Sequence, residues 1–358
     1  MNSSKSIKTV EVNASTSYSI HIGEGLLEEA GNLTKEIHSP CSVLIVSDSN
    51  VASLYQRTVE KAYRDAGFNP ITWSFPAGEA SKNLETLSEL LEFMAAINLN
   101  RSDIVVALGG GVTGDMTGLA AGLFKRGIEY VQIPTTVLSA VDSSVGGKTA
   151  INLKGGKNLA GLFKQPSLVI SDPKTIDTLS PFYLSDGYAE CIKYGLLGSK
   201  KLLDIFENSN PSENLTDIIE ECVKMKAAYV EGDEFDQGIR SYLNLGHTLG
   251  HAIELCSGYT EGHGHAVATG MVLTAIAGER RCITESGTAS RLASILERNG
   301  LLVHCPYNAS ELLEGVLSDK KRTGDTIKWI VPETIDSCTA VDINISDLDK
   351  WISQALAG

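Results

Sequence analysis

Short apolar runs alternate with amphipathic stretches through the first half of the chain. Tyr18 to Ile22, Cys41 to Ser47, Ile104 to Leu108, Tyr130 to Ile133 and Ser167 to Ile170 have the length and β-branched content of strands. Between them Val51 to Ala66, Lys82 to Ala96 and Gly114 to Phe124 read as helices. Such alternation predicts a parallel sheet covered by helices on both faces. After about Asp172 the strand signals fade. Helical periods follow over Ser185 to Leu197, Leu215 to Val230, Ile239 to Cys256, Ala266 to Cys282 and Ser290 to Asn299. The last carries Leu292, Ile295 and Leu296 on one face and stops at Gly300, a residue suited to a left-handed cap. The pattern predicts an α/β N-terminal domain over residues 1–172 and a mostly α-helical C-terminal domain over 173–358.

The stretch IRSYLNLGHTLGHAIELC departs from an ordinary amphipathic helix. Wound as one helix, it places Arg240, Asn244, His247, His251 and Glu254 within roughly a quarter of the circumference. Tyr242, Leu245, Leu249, Ala252, Ile253 and Cys256 take the opposite side. A solvent-facing stripe carries Lys, Glu and Gln; one of Arg, Asn and His suits the lining of a site. Of seven histidines, four (His247, His251, His263, His265) fall between positions 247 and 265. An i, i+4 pair with a third imidazole nearby is a ligand set for zinc or a similar metal. A three-ligand site takes a further partner, often a carboxylate, and Glu190 in GYAECIKYG is the candidate. Lys193 lies one turn on, so the two residues read equally as a site pair or a surface ion pair. Lys226 continues the apolar stripe Leu215, Ile218, Ile219, Cys222, Val223. A lysine there either meets an anion or snorkels outward along the helix.

The strand Ile104 to Leu108 runs into Gly109-Gly-Gly-Val-Thr-Gly-Asp115. Gly109, Gly111 and Gly114 fit G-x-G-x-x-G between a strand and a helix, where backbone N–H groups and a helix N-terminus favour a pyrophosphate. The acidic residue that a Rossmann unit places about 20 residues on is missing; Asp48, ending an upstream strand, can replace it. The other reading is a tight turn without ligand. Near Gly147-Lys148-Thr149 the chain approaches a Walker loop, but Asp142 stands where that motif needs glycine. With Gly155-Gly-Lys157-Asn158 it forms a second glycine–lysine turn, suited to anions or to plain surface loops.

Charge and composition narrow the classes. A net charge of −14 argues against nucleic acid as a partner. It leaves room for a small anion in a locally cationic cleft. No apolar run reaches the length of a membrane span, and the N-terminus lacks a signal-peptide core. Seven cysteines without CxxC spacing argue against a disulfide framework. A cytoplasmic location is expected.

Taken in order, SDSNV (47–51), PAGEASK (76–82), GGGVTGDMTG (109–118), RGIEYVQIPTTVLSAVDSSVGGKTAIN (126–152), GKNLAG, GYAECIKYG, DEFDQGIRSYLNLGHTLGHAIE and HGHAVATGM resemble the 3-dehydroquinate synthase family of sugar-phosphate cyclases. The resemblance spans roughly residues 18 to 331. It implies an α/β Rossmann-like domain followed by a helical one, a homodimer, NAD, and Zn2+ with Co2+ as a substitute. It implies NAD contacts from Asp48, Asn50, Glu79, Lys82, Gly110, Gly111, Val112, Asp115, Thr135, Thr136, Leu138, Lys157, Thr178 and Leu179. The metal would be held by Glu190, His247 and His263. A keto-deoxy sugar acid phosphate would meet Arg126, Asp142, Asn158, Asp236, Lys320 and Lys321. Lys148, Lys193, Lys226, Arg240, Asn244 and His251 would carry the chemistry. The implied reaction is transient oxidation of a ring alcohol, phosphate elimination, re-reduction, ring opening and an intramolecular aldol step.

Three places depart from the family pattern. Asp236 stands where Glu is usual, His265 replaces Glu in H-G-E-A-V, and Pro181-Phe-Tyr183 replaces a polar Arg-Glu. The first two bear on substrate choice. The alternatives are a related cyclase acting on sedoheptulose 7-phosphate and a metal-dependent alcohol or glycerol dehydrogenase. A third, from outside catalysis, is an NAD-binding sensor or metal buffer.

Overall fold

The computed structural model describes residues 7–318 and 325–357; Lys320 and Lys321 lie outside the described residues. The chain forms two compact units. The first runs up to Leu179 and includes Cys222–Phe235; the second is Ser180–Glu221 with the chain from Asp236 on. A single cut after residue 172 therefore misses the return of Cys222–Phe235 to the first unit.

The first unit opens with β1 (Lys8–Asn13), β2 (Ser17–Ile22), α1 (Leu26–Ile37), β3 (Ser42–Asp48), α2 (Ser49–Val51), α3 (Arg57–Asp65), β4 (Asn69–Phe75) and α4 (Leu84–Ala96). It continues with β5 (Ile104–Gly109), α5 (Gly111–Leu123), β6 (Glu129–Pro134), β7 (Lys148–Leu153), β8 (Gly156–Phe163) and β9 (Leu168–Ser171). A seven-stranded sheet has the order β1-β2-β9-β6-β5-β3-β4, parallel except for the β1–β2 pair. β5 is buried along its whole length, as expected of a strand covered on both faces. Its side chains alternate. Ile104, Val106 and Leu108 join Val43 and Ile45 against α1 and α3, whereas Val105 joins Leu44 and Val46 against α4 and α5. The period of two thus builds two cores from one sheet. From β3 the chain goes to the edge strand β4 and then crosses to β5 on the other side of β3. That reversal is the switch point at which open α/β sheets bind ligands beyond their carboxyl ends.

The two glycine–lysine turns belong to an antiparallel hairpin, β7–β8. Gly147 takes φ +67° just before it and Gly156 φ +148° at its tip, so the segment is a hairpin rather than a pair of plain loops.

The second unit holds α6 (Pro181–Leu196), α7 (Lys200–Asn208), the start of α8 (Leu215–Gly232), α9 (His247–Cys256), α10 (His263–Arg280), α11 (Thr288–Arg298) and α12 (Ala309–Ser318). After these come β10 (Thr326–Thr334), β11 (Ser337–Asn344) and α13 (Leu348–Leu356). Gly300 has φ +82° after α11, the expected cap. The β10–β11 hairpin packs Ile327, Trp329, Val331 and Ile343 into the helical core with Leu249, Ile253 and Trp351. The sequence reading assigns no element after Asn299, so this hairpin is an addition to it. Among the described residues no helix is long and apolar enough to cross a membrane.

The expected helix from Ile239 to Cys256 is broken. Ile239–Asn244 is a 3-10 turn, Gly246 is left-handed at φ +78°, and α9 begins at His247. Packing explains the break. A Cβ on Gly246 would lie 2.4 Å from Met271 Cγ and 2.8 Å from the Val267 carbonyl, so α10 presses on this backbone. Arg240 and Asn244 therefore share no helical stripe with His247, His251 and Glu254.

Candidate active site

In the first unit the candidates collect at the ends of parallel strands. β3 ends at Asp48, β5 at Gly109 and β6 at Pro134, and these strands are neighbours. Asp48 caps α2, its Oδ1 accepting the N–H groups of Asn50 (2.9 Å) and Val51 (3.1 Å). Gly110 is the N-cap of α5 and has no side chain to cover the helix N-terminus, which leaves its first amides suited to an anion. The glycines divide into two kinds. A Cβ on Gly109 would sit 2.4 Å from Thr113 Oγ1 and one on Gly114 2.8 Å from Gln132 Oε1, so these two serve packing. On Gly110 and Gly111 the nearest atoms are 3.2 Å (Thr136) and 3.3 Å (Ser143) away, so more room remains above them.

Lys82 is buried. Its Nζ donates to Asp115 Oδ2 at 2.5 Å and to Asn158 Oδ1 at 2.6 Å. Burial raises the Asp115 pKa above its ordinary value, and the neighbouring Lys82 charge offsets only part of that rise. Asn158, left-handed at φ +54°, takes its N–H to Asn152 Oδ1, and Asn152 Nδ2 donates to Glu79 Oε1 at 2.7 Å. Lys82, Asp115 and Glu79, expected at NAD, thus share one network with Asn158, expected at substrate. The sequence reading gives Asn152 no role, although it stands inside the GGKTAIN motif. Thr178 Oγ1 is bonded to Tyr55 at 2.7 Å.

Lys226 does meet an anion. It is buried in α8, pairs with Asp142 Oδ1 at 2.9 Å, and donates to the Asp142 carbonyl as well. Snorkelling is thereby excluded. Asp142 lies in the π-turn Ser139–Ser143. Lys148, at the start of β7, is exposed, as is Arg126, left-handed at φ +65°.

In the second unit three helices bring donor atoms to one point. Glu190 in the middle of α6 is fully buried and pairs with Lys193 one turn on, itself 1% exposed. This is no surface ion pair. Glu190 Oε1 lies 3.5 Å from His247 Nε2 at the start of α9 and 3.5 Å from His263 Nε2 at the start of α10. The ligand atoms of these three residues all fall within 4.8 Å of one another. Ligands about 2.0–2.1 Å from a tetrahedral zinc stand about 3.3–3.4 Å apart, so the spacing suits the ion. The outer atoms agree. His247 Nδ1 donates to the Leu245 carbonyl at 3.1 Å, and His263 Nδ1 to Glu254 Oε2 at 3.1 Å. Each bond favours the tautomer that carries its proton on Nδ1 and turns the Nε2 lone pair toward Glu190, where a metal would sit. Burial opposes charge on His263, but Glu190 and Glu254 outweigh it and push its pKa up to about 10. The field at this point calls for a cation. The sequence reading puts Glu254 on the stripe without a role; its position three residues after His251 is the available signal.

His251 is adjacent, its ring centroid 5.4 Å from that of His247 and 6.0 Å from that of His263. Arg240 is 2% exposed in the 3-10 turn that also holds Asn244. Asp236 is left-handed at φ +57°.

Residues 72–185 match the family described as 3-dehydroquinate synthase N-terminal, and residues 187–322 the one described as 3-dehydroquinate synthase C-terminal. A 3-dehydroquinate synthase of Streptococcus suis is 42% identical over 344 residues, 94% of this chain and 97% of that protein. One from Streptococcus sanguinis is 38% identical over the same shares. Among solved structures, a 2-deoxy-scyllo-inosose synthase complexed with carbaglucose-6-phosphate, NAD+ and Co2+ superposes with a TM-score of 0.87 at 25% identity, covering 97% of this chain and 100% of that one. A probable glycerol dehydrogenase from Sinorhizobium meliloti shares the fold alone, with a TM-score of 0.64 at 12% identity over 93% and 95% of the two chains.

Proposed function

Because the chain belongs to the 3-dehydroquinate synthase family, we propose that it converts 3-deoxy-D-arabino-heptulosonate 7-phosphate to 3-dehydroquinate and phosphate. It is an NAD- and metal-dependent carbon–oxygen lyase of aromatic biosynthesis. The observation that carries this reading is the donor set Glu190, His247 and His263 with Lys193 against it, in a chain that aligns with such synthases over 94% of its length.

Bound NAD+ and Zn2+, or Co2+ in its place, would supply a hydride acceptor and a Lewis acid. The protein's own groups do the rest. Asp48, Asn50, Gly110, Gly111, Val112, Asp115, Thr135, Thr136, Leu138, Lys157, Thr178 and Leu179 hold the dinucleotide, with Glu79 and Lys82. Lys148, Lys193, Lys226 and Arg240 supply positive charge for the carboxylate and phosphate of the substrate. Such charges act strongly because three of the four are buried. Arg126, Asp142, Asn158, Asn244, Asp236, Lys320 and Lys321 complete the substrate contacts, and His251 carries a proton. Glu190 keeps Lys193 in place. 3-Dehydroquinate differs from the substrate only by the lost phosphoric acid, so no net oxidation occurs. A cytoplasmic homodimer is part of the proposal, on the family resemblance and the sequence reading.

The test is phosphate release from this substrate with NAD+ and Zn2+, with NADH absorbance followed alongside. Phosphate without accumulating NADH is the expected outcome. Release from sedoheptulose 7-phosphate alone would move the assignment to the related cyclase. Accumulating NADH without phosphate would identify a dehydrogenase.

A further inference from the structure

Two of the three departures from the family pattern meet in one place. α6 opens with Pro181-Phe-Tyr where Arg-Glu is usual, and α10 opens with His263-Gly-His265 where Glu is usual at 265. In the structure the Phe182 ring and the His265 imidazole stack, with centroids 4.6 Å apart and planes within 9°. His265 Nε2 lies 3.2 Å from Ser185 Oγ and 3.5 Å from the Phe182 carbonyl. This imidazole is engaged with α6, so the exchanges at 182 and 265 are two halves of one contact between the helices.

Asp186 makes the closest part of that contact. Its Oδ1 accepts the backbone N–H of Gly264 at 2.7 Å and of His265 at 3.2 Å. These are the second and third residues of α10, whose N-cap Gly262 has no side chain to do the task. Asp186 is thus a cap supplied by a neighbouring helix, and its carboxylate also suits the positive end of the helix dipole. The approach is backbone-close: a Cβ on Gly264 would lie 1.8 Å from the Asp186 carbonyl oxygen, and one on Gly262 2.4 Å from Asp186 Oδ1. On α6, Asp186 precedes Glu190 by four residues and so shares its face. On α10, the capped amides directly follow His263. One carboxylate therefore ties the turn that carries His263 to the face that carries Glu190.

We propose that Asp186 is a positioning residue for the metal centre, holding His263 at the separation from Glu190 that the ion requires. The proposal rests on the metal reading above. It is tested on the full chain at one fixed pH by chelator competition for Zn2+ and Co2+, by the visible absorbance of the Co2+-loaded protein, and by the melting temperature without metal. Asp186→Ala should weaken metal binding by roughly tenfold or more, the effect of losing an outer support, and should alter the Co2+ spectrum. Asp186→Asn, which keeps an oxygen acceptor, should restore both. If the alanine variant does not fold, Asp186→Ser, too short to span both amides, carries the same expectation. Parent-like metal affinity in the Ala or Ser variant, with only the melting temperature lowered, would overturn the positioning role. His247→Ala separates the two levels. If it loses metal while Asp186→Ala binds as the parent does, only the positioning fails; a parent chain that binds no metal overturns the metal reading and this proposal together.

Discussion

The two units handle charge differently. In the first, each buried candidate lysine has its own carboxylate: Lys82 has Asp115 and Lys226 has Asp142. In the second, one buried carboxylate, Glu190, serves Lys193 and two imidazoles, and a second, Glu254, stands behind His263. Each pair of the first kind sets one carboxylate against one lysine. A ligand anion there competes with an existing partner, which favours selectivity over raw affinity. The cluster of the second kind converges on a point that is left wanting a cation, as the upward push on His263 records. An anion-binding surface can be assembled from strand ends and turns, whereas a metal centre needs its donor atoms held to fractions of an ångström, here by three helices.

The largest way to break this contrast is Glu190→Gln. It should abolish stoichiometric metal and with it activity, measured by metal analysis and phosphate release; retained metal would show that the carboxylate serves Lys193 alone. Next comes Lys226→Met in the first unit. Activity should fall on the order of 100-fold, as for loss of one positioned cationic donor, with metal content unchanged. A variant that loses metal would erase the distinction between the two regions. Smaller again is Gly109→Ala, whose Cβ would meet Thr113 Oγ1 at 2.4 Å. Overpacking there should cost about 1–3 kcal/mol in denaturant unfolding and weaken NAD+ binding, without touching the metal.

The smallest effect is expected at a surface pair of the second unit that is not among the candidate metal ligands. Arg291 holds Glu207 at 2.7 Å on the surface and keeps the Glu207 pKa below its ordinary value, chiefly through their hydrogen bond. A lowered folded-state pKa stabilises above the unfolded-state value and loses its effect as pH falls through the folded one. Arg291→Ala should therefore cost no more than about 1 kcal/mol near neutral pH, and the gap from the parent should close in acid. Melting curves at the two pH values check it. A gap that persists in acid would assign the effect to packing.

The contrast also marks where the sequence was informative. Strand, glycine turn and helix follow one another between Ile104 and Leu123, so periodicity and the glycine spacing were enough to place that unit. The candidate donors Glu190, His247 and His263 were reachable by residue type and by the family motifs, because four of the seven histidines fall between positions 247 and 265. Their geometry was not. Asp186 and Asn152 gave no local signal, since a side chain that caps another helix or bridges two loops does so across a distance that no local pattern encodes. Lys226 stood on an apolar stripe, which left a buried anion and an outward-snorkelling chain both open and did not name Asp142.

By itself, then, the sequence pointed to the alternating sheet, the helices on its two faces and the helical character of the second half, and through the family motifs to Glu190, His247 and His263 as candidate metal ligands. These follow from local period and from residue chemistry. The tertiary structure decided that the stretch from Ile239 to Cys256 is a 3-10 turn and a separate helix. It also decided that the glycine–lysine turns form a hairpin, and that residues Cys222–Phe235 belong with the first unit. The physical reason is close packing. At Gly246 and Gly270 two backbones approach within the space of a single Cβ, and only the folded chain places those backbones side by side.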